Sequence, residues 1–211
     1  MKNPHLAEAK HASFALLPLL PVMGLEISGF LLAGSLVLAA HLADVVGDSF
    51  AYLSVIVVAL VSWYRDLQGR EHKTNHIEQI VSAVINATTI LVGVGVVSWQ
   101  VYEGFTDPGP PVDDWIILAV PAFSFLMYWI IHDVIEGVQE PNVSIESLKA
   151  HVVGDRAVSA IVFIATLFTL SLQTSWANPA GGVAVMVVLG WVFAGLVLKI
   201  REAARENQGV R

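Results

Sequence analysis

The chain is almost continuously apolar from Ala12 to Trp63, and this run limits its fold more than any other feature. A transmembrane helix needs about 20 apolar residues to cross a hydrocarbon core of about 30 Å. A single helix over the whole run would be roughly 78 Å long, more than twice that thickness. The run therefore predicts two spans with a turn between Gly29 and Ser35, and a kink at Pro18 and Pro21 in the first span.

Four more apolar segments of span length follow, separated by polar connectors. They are Ile80 to Tyr102, Trp115 to Ile131, Leu148 to Leu172 and Val183 to Ile200. Together with the first run they predict an all-α membrane protein with six transmembrane helices, forming a single transmembrane domain over residues 1–211. Only a short tail follows the last span, so we expect no C-terminal cytoplasmic metal-binding domain.

The Lys and Arg residues predict how these helices are oriented. Of 11 in total, two lie in the N-terminal segment, three in the connector between the second and third spans, and four in the tail. The three connectors predicted on the opposite side hold none. Because cytoplasmic loops carry an excess of Lys and Arg, we expect cytoplasmic N- and C-termini and a multi-pass protein of the inner (plasma) membrane.

The composition excludes several classes of function. The chain is 55% hydrophobic and 14% charged, with a mean hydropathy of +0.68, whereas a soluble domain is about a quarter charged. A net charge of −7 argues against a nucleic-acid partner, which would require a basic face. Without Cys, any metal must be held by His, Asp or Glu. We find no H-E-x-x-H or G-x-S-x-G motif and expect no enzyme.

Two pairs of ionisable residues lie inside predicted spans, where such residues are costly and usually functional. Asp44 and Asp48 are four residues apart in the second span, and His151 and Asp155 are four apart in the fifth. This spacing puts each pair on one helix face. Three carboxylates and one imidazole would suffice for a tetrahedral zinc-type site, although each acid could instead be a separate polar anchor or line a water pocket.

The sequence resembles the cation diffusion facilitator family. The runs SLVLAAHLADVVGDSFAYL, HIEQIVSAVINATTI and SLKAHVVGDRAVSAIV are similar to that family's second, third and fifth helices. The resemblance implies that Asp44, Asp48, His151 and Asp155 bind a transported divalent metal. That metal is usually zinc, exported in exchange for protons by alternating access, and cadmium is expected as a chemical mimic. Family members usually dimerise through a cytoplasmic domain, so here we expect a homodimer held by membrane helices within the lipid bilayer.

A second, auxiliary metal site is also predicted near the cytoplasmic surface. By the same resemblance, the connector between the second and third spans could bind metal through Glu71, His72 and His76, or it could be a solvated polar loop. His41, one turn before Asp44, could be an extra ligand or a buried histidine bonded to a neighbour.

Other functions and one arginine stay open at this stage. The chain could be a manganese or iron(II) transporter of the same fold. It could also be a bis-His haem membrane protein using His41 and His151, in which the carboxylates would have no role. Arg156 follows Asp155 directly and could face another helix, or pair with Glu26 or Glu103.

Overall fold

The computed structural model describes residues 4–33, 36–69, 73–107, 116–138 and 142–209 of the chain. At residues 29–30, 32–33, 36–44, 73–76, 116–117 and 206–209 it describes the backbone alone. The secondary structure in these ranges is entirely helical. The helices are α1 (Pro4–Leu16), α2 (Leu19–Ala33), α3 (Leu36–Leu67), α4 (Lys73–Thr106), α5 (Ile116–Glu136), α6 (Val143–Leu172) and α7 (Ala177–Gly209).

Six segments of these described ranges are long and apolar enough to cross a membrane. The first of them, Pro4–Ser28, combines α1 with most of α2, and each helix from α3 to α7 supplies one more. This result confirms the prediction of an all-α protein with six membrane-spanning helices.

The first span is interrupted at Pro18, as its sequence predicts. Helix α1 ends at Leu16 and α2 begins at Leu19, and the Leu20 N–H donates to the Leu17 carbonyl across the break, at 3.2 Å. Proline causes such a break because it lacks an N–H and its ring clashes with the preceding turn. Pro21 falls in the first turn of α2, where backbone N–H groups have no helical partner and proline is tolerated.

Three helices begin earlier than the hydropathy pattern predicts, because their first turns are polar. Helix α4 begins at Lys73 rather than Ile80, α6 at Val143 rather than Leu148, and α7 at Ala177 rather than Val183. In α6 the polar start is a helix cap: the Asn142 side chain accepts a hydrogen bond from the Ile145 N–H, at 3.0 Å.

The early start of α7 also corrects the prediction for Gly181 and Gly182, which the span bounds place in the connector before Val183. Both glycines lie inside the helix, where they permit close packing. A Cβ at Gly181 would lie 2.6 Å from the Ala165 Cβ of α6, and one at Gly182 would lie 2.5 Å from the Val101 Cγ2 of α4. The absence of a side chain therefore lets α7 approach both neighbours.

Two apolar clusters hold the helices together. The larger cluster joins α1, α2, α3, α5 and the first half of α6, and the smaller joins α4, α7 and the middle of α6. The larger includes Ala12, Ala15, Leu19, Val22, Val45, Ala51, Tyr52, Val55, Tyr128, Ile131, Ile135, Val138, Ile145, Leu148 and Val152. The smaller includes Ala87, Ile90, Val158, Val185, Leu189, Val192 and Leu196.

The start of α1 and the last part of α7 lie on the same face of the helix bundle. His5 Nε2 of α1 is 3.7 Å from Asp66 Oδ2 near the end of α3, and Arg65 pairs with Glu78 near the start of α4. In α7, Lys199 Nζ donates to Glu146 at the start of α6, at 3.0 Å. We call this side, where α1, α4 and α6 begin and α3, α5 and α7 end, the basic face. Its assignment to the cytoplasm stays a prediction.

Candidate metal site

Three of the four predicted ligands meet between α3 and α6. His151 Nε2 lies 2.7 Å from Asp48 Oδ1 and 3.8 Å from Asp155 Oδ2. One ligand atom from each of the three residues lies within 4.8 Å of the others, as a common metal ion would require. All three are buried, with relative exposures of 1% for Asp48, 3% for His151 and 4% for Asp155.

The α6 half of the site depends on regular helix geometry. His151 and Asp155 are one turn apart and therefore share a face, on which both approach α3. The backbone of the same segment is held from another side, where a Cβ at Gly154 would lie 3.4 Å from Val192 Cγ2 of α7. Leu148 and Val152 pack in the larger apolar cluster. These contacts fix the position of α6 at the site.

Both carboxylate oxygens of Asp48 are hydrogen-bonded. Oδ1 faces His151, and Oδ2 accepts a hydrogen bond from the hydroxyl group of Tyr128, which is buried in α5. The 2.7 Å distance between His151 Nε2 and Asp48 Oδ1 is that of a hydrogen bond. A cation that bound both atoms would have to replace this contact.

The sequence interpretation missed Tyr128. A signal for it exists: a tyrosine near the middle of a span, away from the interfacial belts, needs a partner for its buried hydroxyl group. The same signal marks Tyr52, one turn after Asp48 on α3 and fully buried. Among the described residues, however, the Tyr52 hydroxyl group has no hydrogen-bond partner.

The remaining predicted ligands lie outside the described side chains. Asp44 and His41 are in the part of α3 for which the backbone alone is described, and the same holds for His76 in α4. Glu71 and His72 lie outside the described residues altogether. The fourth ligand and the auxiliary site therefore stay predictions.

Arg156 faces a neighbouring helix, which is one of the alternatives left open by the sequence. Its guanidinium group stacks on the ring of Trp129 in α5, with Cζ 3.8 Å from the ring centroid. The charge is thus stabilised by the π-electrons of an aromatic face. Within the described parts of the chain, no ion pair of Arg156 with Glu26 or Glu103 is present.

Comparison with known proteins gives a consistent family match. The sequence-family model of the cation efflux transmembrane domain matches residues 12–205 of the chain. The chain is 28% identical over 155 residues to the zinc transporter ZitB of Pectobacterium atrosepticum, a match that covers 72% of this chain and 46% of that protein. It is 26% identical over 171 residues to ZitB of Escherichia coli, covering 79% and 52%.

A third relative has a broader named substrate range. The cadmium, cobalt and zinc/H(+)-K(+) antiporter of Bacillus velezensis is 25% identical over 174 residues, covering 79% of this chain and 53% of that protein. The chain thus spans about half the length of the curated relatives it matches.

Proposed function

The chain belongs to the cation efflux, or cation diffusion facilitator, family, and from that premise we propose that it exports zinc from the cytoplasm in exchange for protons. It does so as a multi-pass protein of the inner membrane and not as an enzyme. The observation that carries this proposal is the buried cluster of Asp48, His151 and Asp155. Ionisable groups inside a membrane bundle are rare and usually mark an ion route.

The donor set supports zinc as the substrate. One imidazole nitrogen and two carboxylate oxygens suit a tetrahedral zinc ion, with a fourth position left for Asp44 or for water. An all-oxygen site would favour manganese or magnesium instead. The names of the relatives point the same way, toward zinc, and one of them adds cadmium and cobalt. Cadmium is therefore proposed as a second substrate, and manganese or iron(II) as the alternative within the same fold.

The contact between His151 and Asp48 supports exchange, because the two atoms that would bind zinc can share a proton when zinc is absent. Zinc at this position would use the lone pairs of Nε2 and Oδ1, so binding releases the proton and a returning proton expels the metal. A haem protein is the weaker alternative, because the carboxylates of Asp48 and Asp155 lie beside His151 and would have no role in a bis-His haem site.

A homodimer held by α4 and α7 is also proposed, because small residues on these two helices would let helices of two subunits approach closely. Ser82, Ala83 and Ala87 of α4 are buried inside the chain and offer no outer surface. At Gly190 and Gly195 of α7, in contrast, an added Cβ meets nothing within 4 Å. Small residues on such an open face let two helices approach closely in lipid.

The test of function is zinc flux in proteoliposomes that enclose a zinc indicator. The variant Asp155→Asn keeps the shape of the side chain but removes its charge, so we expect zinc flux and zinc binding to be lost. The matched control is Glu146→Gln, the same chemical change at an exposed position on the same helix, and it should transport normally.

Two additions to the assay separate the alternatives. A panel of zinc, cadmium, cobalt, manganese and iron(II) ions should show the fastest flux for zinc, and faster manganese flux would replace zinc as the proposed substrate. Collapsing the pH gradient with an ionophore should stop zinc accumulation. Normal zinc flux in Asp155→Asn would contradict the assignment of the site.

A further inference from the structure

A band of hydrogen-bonded polar side chains lies between the metal site and the basic face. We call it the polar seam. It joins three helices and consists of Ser54 of α3, Ser82 and Asn86 of α4, and Ser144 and Ser147 of α6. The seam contains none of the proposed metal ligands.

Asn86 is the central member of the seam. Its amide nitrogen donates to the Ser147 hydroxyl group at 2.7 Å, and its carbonyl oxygen accepts from the Ser54 hydroxyl group at 3.4 Å. Ser82 supplies a second connection, with its hydroxyl oxygen 2.9 Å from that of Ser54 and 2.8 Å from that of Ser144. Helix α4 is thus hydrogen-bonded to both helices that carry the metal ligands.

The seam is close to the site and on one side of it. Ser147 precedes His151 by one turn of α6, toward the basic face. Ser54 follows Asp48 by six residues of α3, about 9 Å of helix rise, also toward the basic face. The seam therefore lies between α4 and the two ligand-bearing helices, on the side of the site that is nearer the basic face.

The seam is closed in this conformation at four of its five residues. Ser82 and Asn86 have no exposed surface, Ser144 and Ser147 are 2% and 1% exposed, and Ser54 is half-buried. Buried polar groups in a membrane are costly unless they bond to one another, and these do. An apolar contact would seal three helices without that cost, so the polar composition needs a reason beyond packing.

The position of the seam between the two apolar clusters suggests that reason. Ile145 and Leu148 flank the α6 part of the seam and belong to the larger cluster, whereas Ala87, next to Asn86, belongs to the smaller. When α4 moves away from α3 and α6 here, the surfaces that part are hydroxyl and amide groups. Water can replace their mutual hydrogen bonds almost without loss, which it cannot do for apolar surfaces.

We propose that the polar seam is the gate between the metal site and the basic face, held closed by Asn86 and lined with water when it opens. This proposal rests on the proposed transport function, because a gate has meaning only if the site is loaded from that face. Asn86 is a positioning residue in this scheme, since it acts on helix separation and touches no ligand atom in the described structure.

The chain has no Cys, so single cysteines can report on the gate directly. The reporter is Ser82→Cys in the seam. The matched control is Ser98→Cys, on the same helix beyond the seam and half-buried, where the hydroxyl group donates to the Val94 carbonyl at 2.7 Å. A membrane-impermeant thiol reagent is added to reconstituted protein at the basic face, and then at the other face. We expect Ser82→Cys to react at least about tenfold faster than Ser98→Cys from the basic face alone.

Asn86→Ala tests what holds the gate closed. One interhelical hydrogen bond in a membrane should change the equilibrium between the closed and the open seam by about threefold. Asn86→Ala removes two such bonds, so the reactivity of Ser82→Cys should rise roughly tenfold and that of Ser98→Cys should not change. Asn86→Leu keeps the volume but cannot bind water, and it should slow zinc entry from the basic face. The equilibrium zinc affinity of the solubilised Asn86→Leu protein should stay within about twofold of the parent, because Asn86 contacts no ligand.

Three results would overturn the gate. They are equal reactivity of Ser82→Cys and Ser98→Cys, faster reaction from the opposite face, and a parallel fall of zinc affinity and flux in Asn86→Leu. The cysteine comparison needs no change at Asn86 and stands if those variants do not fold. Selective reaction of Ser82→Cys in a protein that moves no zinc would support the gate, and the proposed transport function would then be the part that fails.

Discussion

Removal of one hydroxyl group from the buried face of α5 should weaken the metal site without removing a ligand. Tyr128 donates to Asp48 Oδ2, and Asp48 Oδ1 is the oxygen that faces His151. In Tyr128→Phe the ring still fills its place in the larger apolar cluster, so packing is preserved. The Asp48 carboxylate loses the bond that fixes its rotation, however, and must be ordered by the metal itself.

The loss of zinc affinity depends on whether the hydrogen bond from Tyr128 to Asp48 is present before the metal binds as well as afterwards. A hydrogen bond to a charged group contributes about 1.5–3 kcal/mol, and loss of an orienting partner of a metal ligand typically costs 10- to 100-fold in affinity. Here the bond forms to the oxygen that does not face His151, so it exists before and after metal binding and part of its energy cancels. We therefore expect the low end, about a tenfold loss of zinc affinity.

The measurement is isothermal titration of zinc into the purified protein at constant pH, and Tyr52→Phe is the matched control. Tyr52 is as deeply buried and lies one turn from Asp48, but its hydroxyl group has no hydrogen-bond partner among the described residues. Its removal should change zinc affinity by less than about twofold. Equal losses in the two variants would refute the reasoning, since proximity of a hydroxyl group would then matter and orientation of Asp48 would not.

Three further predictions address protons, helix packing and assembly. Zinc affinity should rise by up to about tenfold per pH unit for each proton displaced from the His151–Asp48 pair. The measurement is calorimetric titration of zinc between about pH 6 and pH 8 in buffers of different ionisation heat. A zinc affinity that does not depend on pH would contradict proton displacement. Gly181→Ala forces a Cβ against Ala165 and should lower the free energy of unfolding by about 1–3 kcal/mol in a thermal or denaturant assay. Gly190→Ala, whose added Cβ meets open space, should not lower it. Equal stability of the two variants would mean that α7 can shift away from α6 at no cost. Gly195→Leu should lower the dimer fraction in lipid nanodiscs, and an unchanged fraction would exclude this part of α7 from the interface.

Hydropathy was sufficient to predict the number of membrane-spanning helices. The break at Pro18 was also predictable, because proline lacks an N–H. The turn was predicted between Gly29 and Ser35, but α2 continues to Ala33, and residues 34–35 lie outside the described residues. The first residues of α4, α6 and α7 were predicted less well, because a helix can extend through polar residues outside the hydrocarbon. Asn142, for example, starts α6 as a cap, and hydropathy alone assigns it to a connector.

The metal site divides in the same way. The spacing of His151 and Asp155 predicts a shared face within one helix, but that α3 presents Asp48 to that face is a property of helix packing. Tyr128 was missed because its role exists only once α5 is placed against α3. The partner of Arg156 was missed for the same reason: a sequence suggests acidic partners for an arginine inside a span, and the fold supplies the face of Trp129.

The site and the polar seam share a rigid helix, and this limits how the protein can work. Ser147 and His151 are one turn apart on α6, so the helix that is hydrogen-bonded to Asn86 in the seam also carries the imidazole of the site. A cation can shift the balance of two conformations only by binding them with different affinities. Because His151 and Asp48 lie on different helices, their separation would supply such a difference in the proposed exchange: metal would favour the conformation in which Nε2 and Oδ1 both fit the ion, and protons the one in which the two atoms lie 2.7 Å apart and can share a proton.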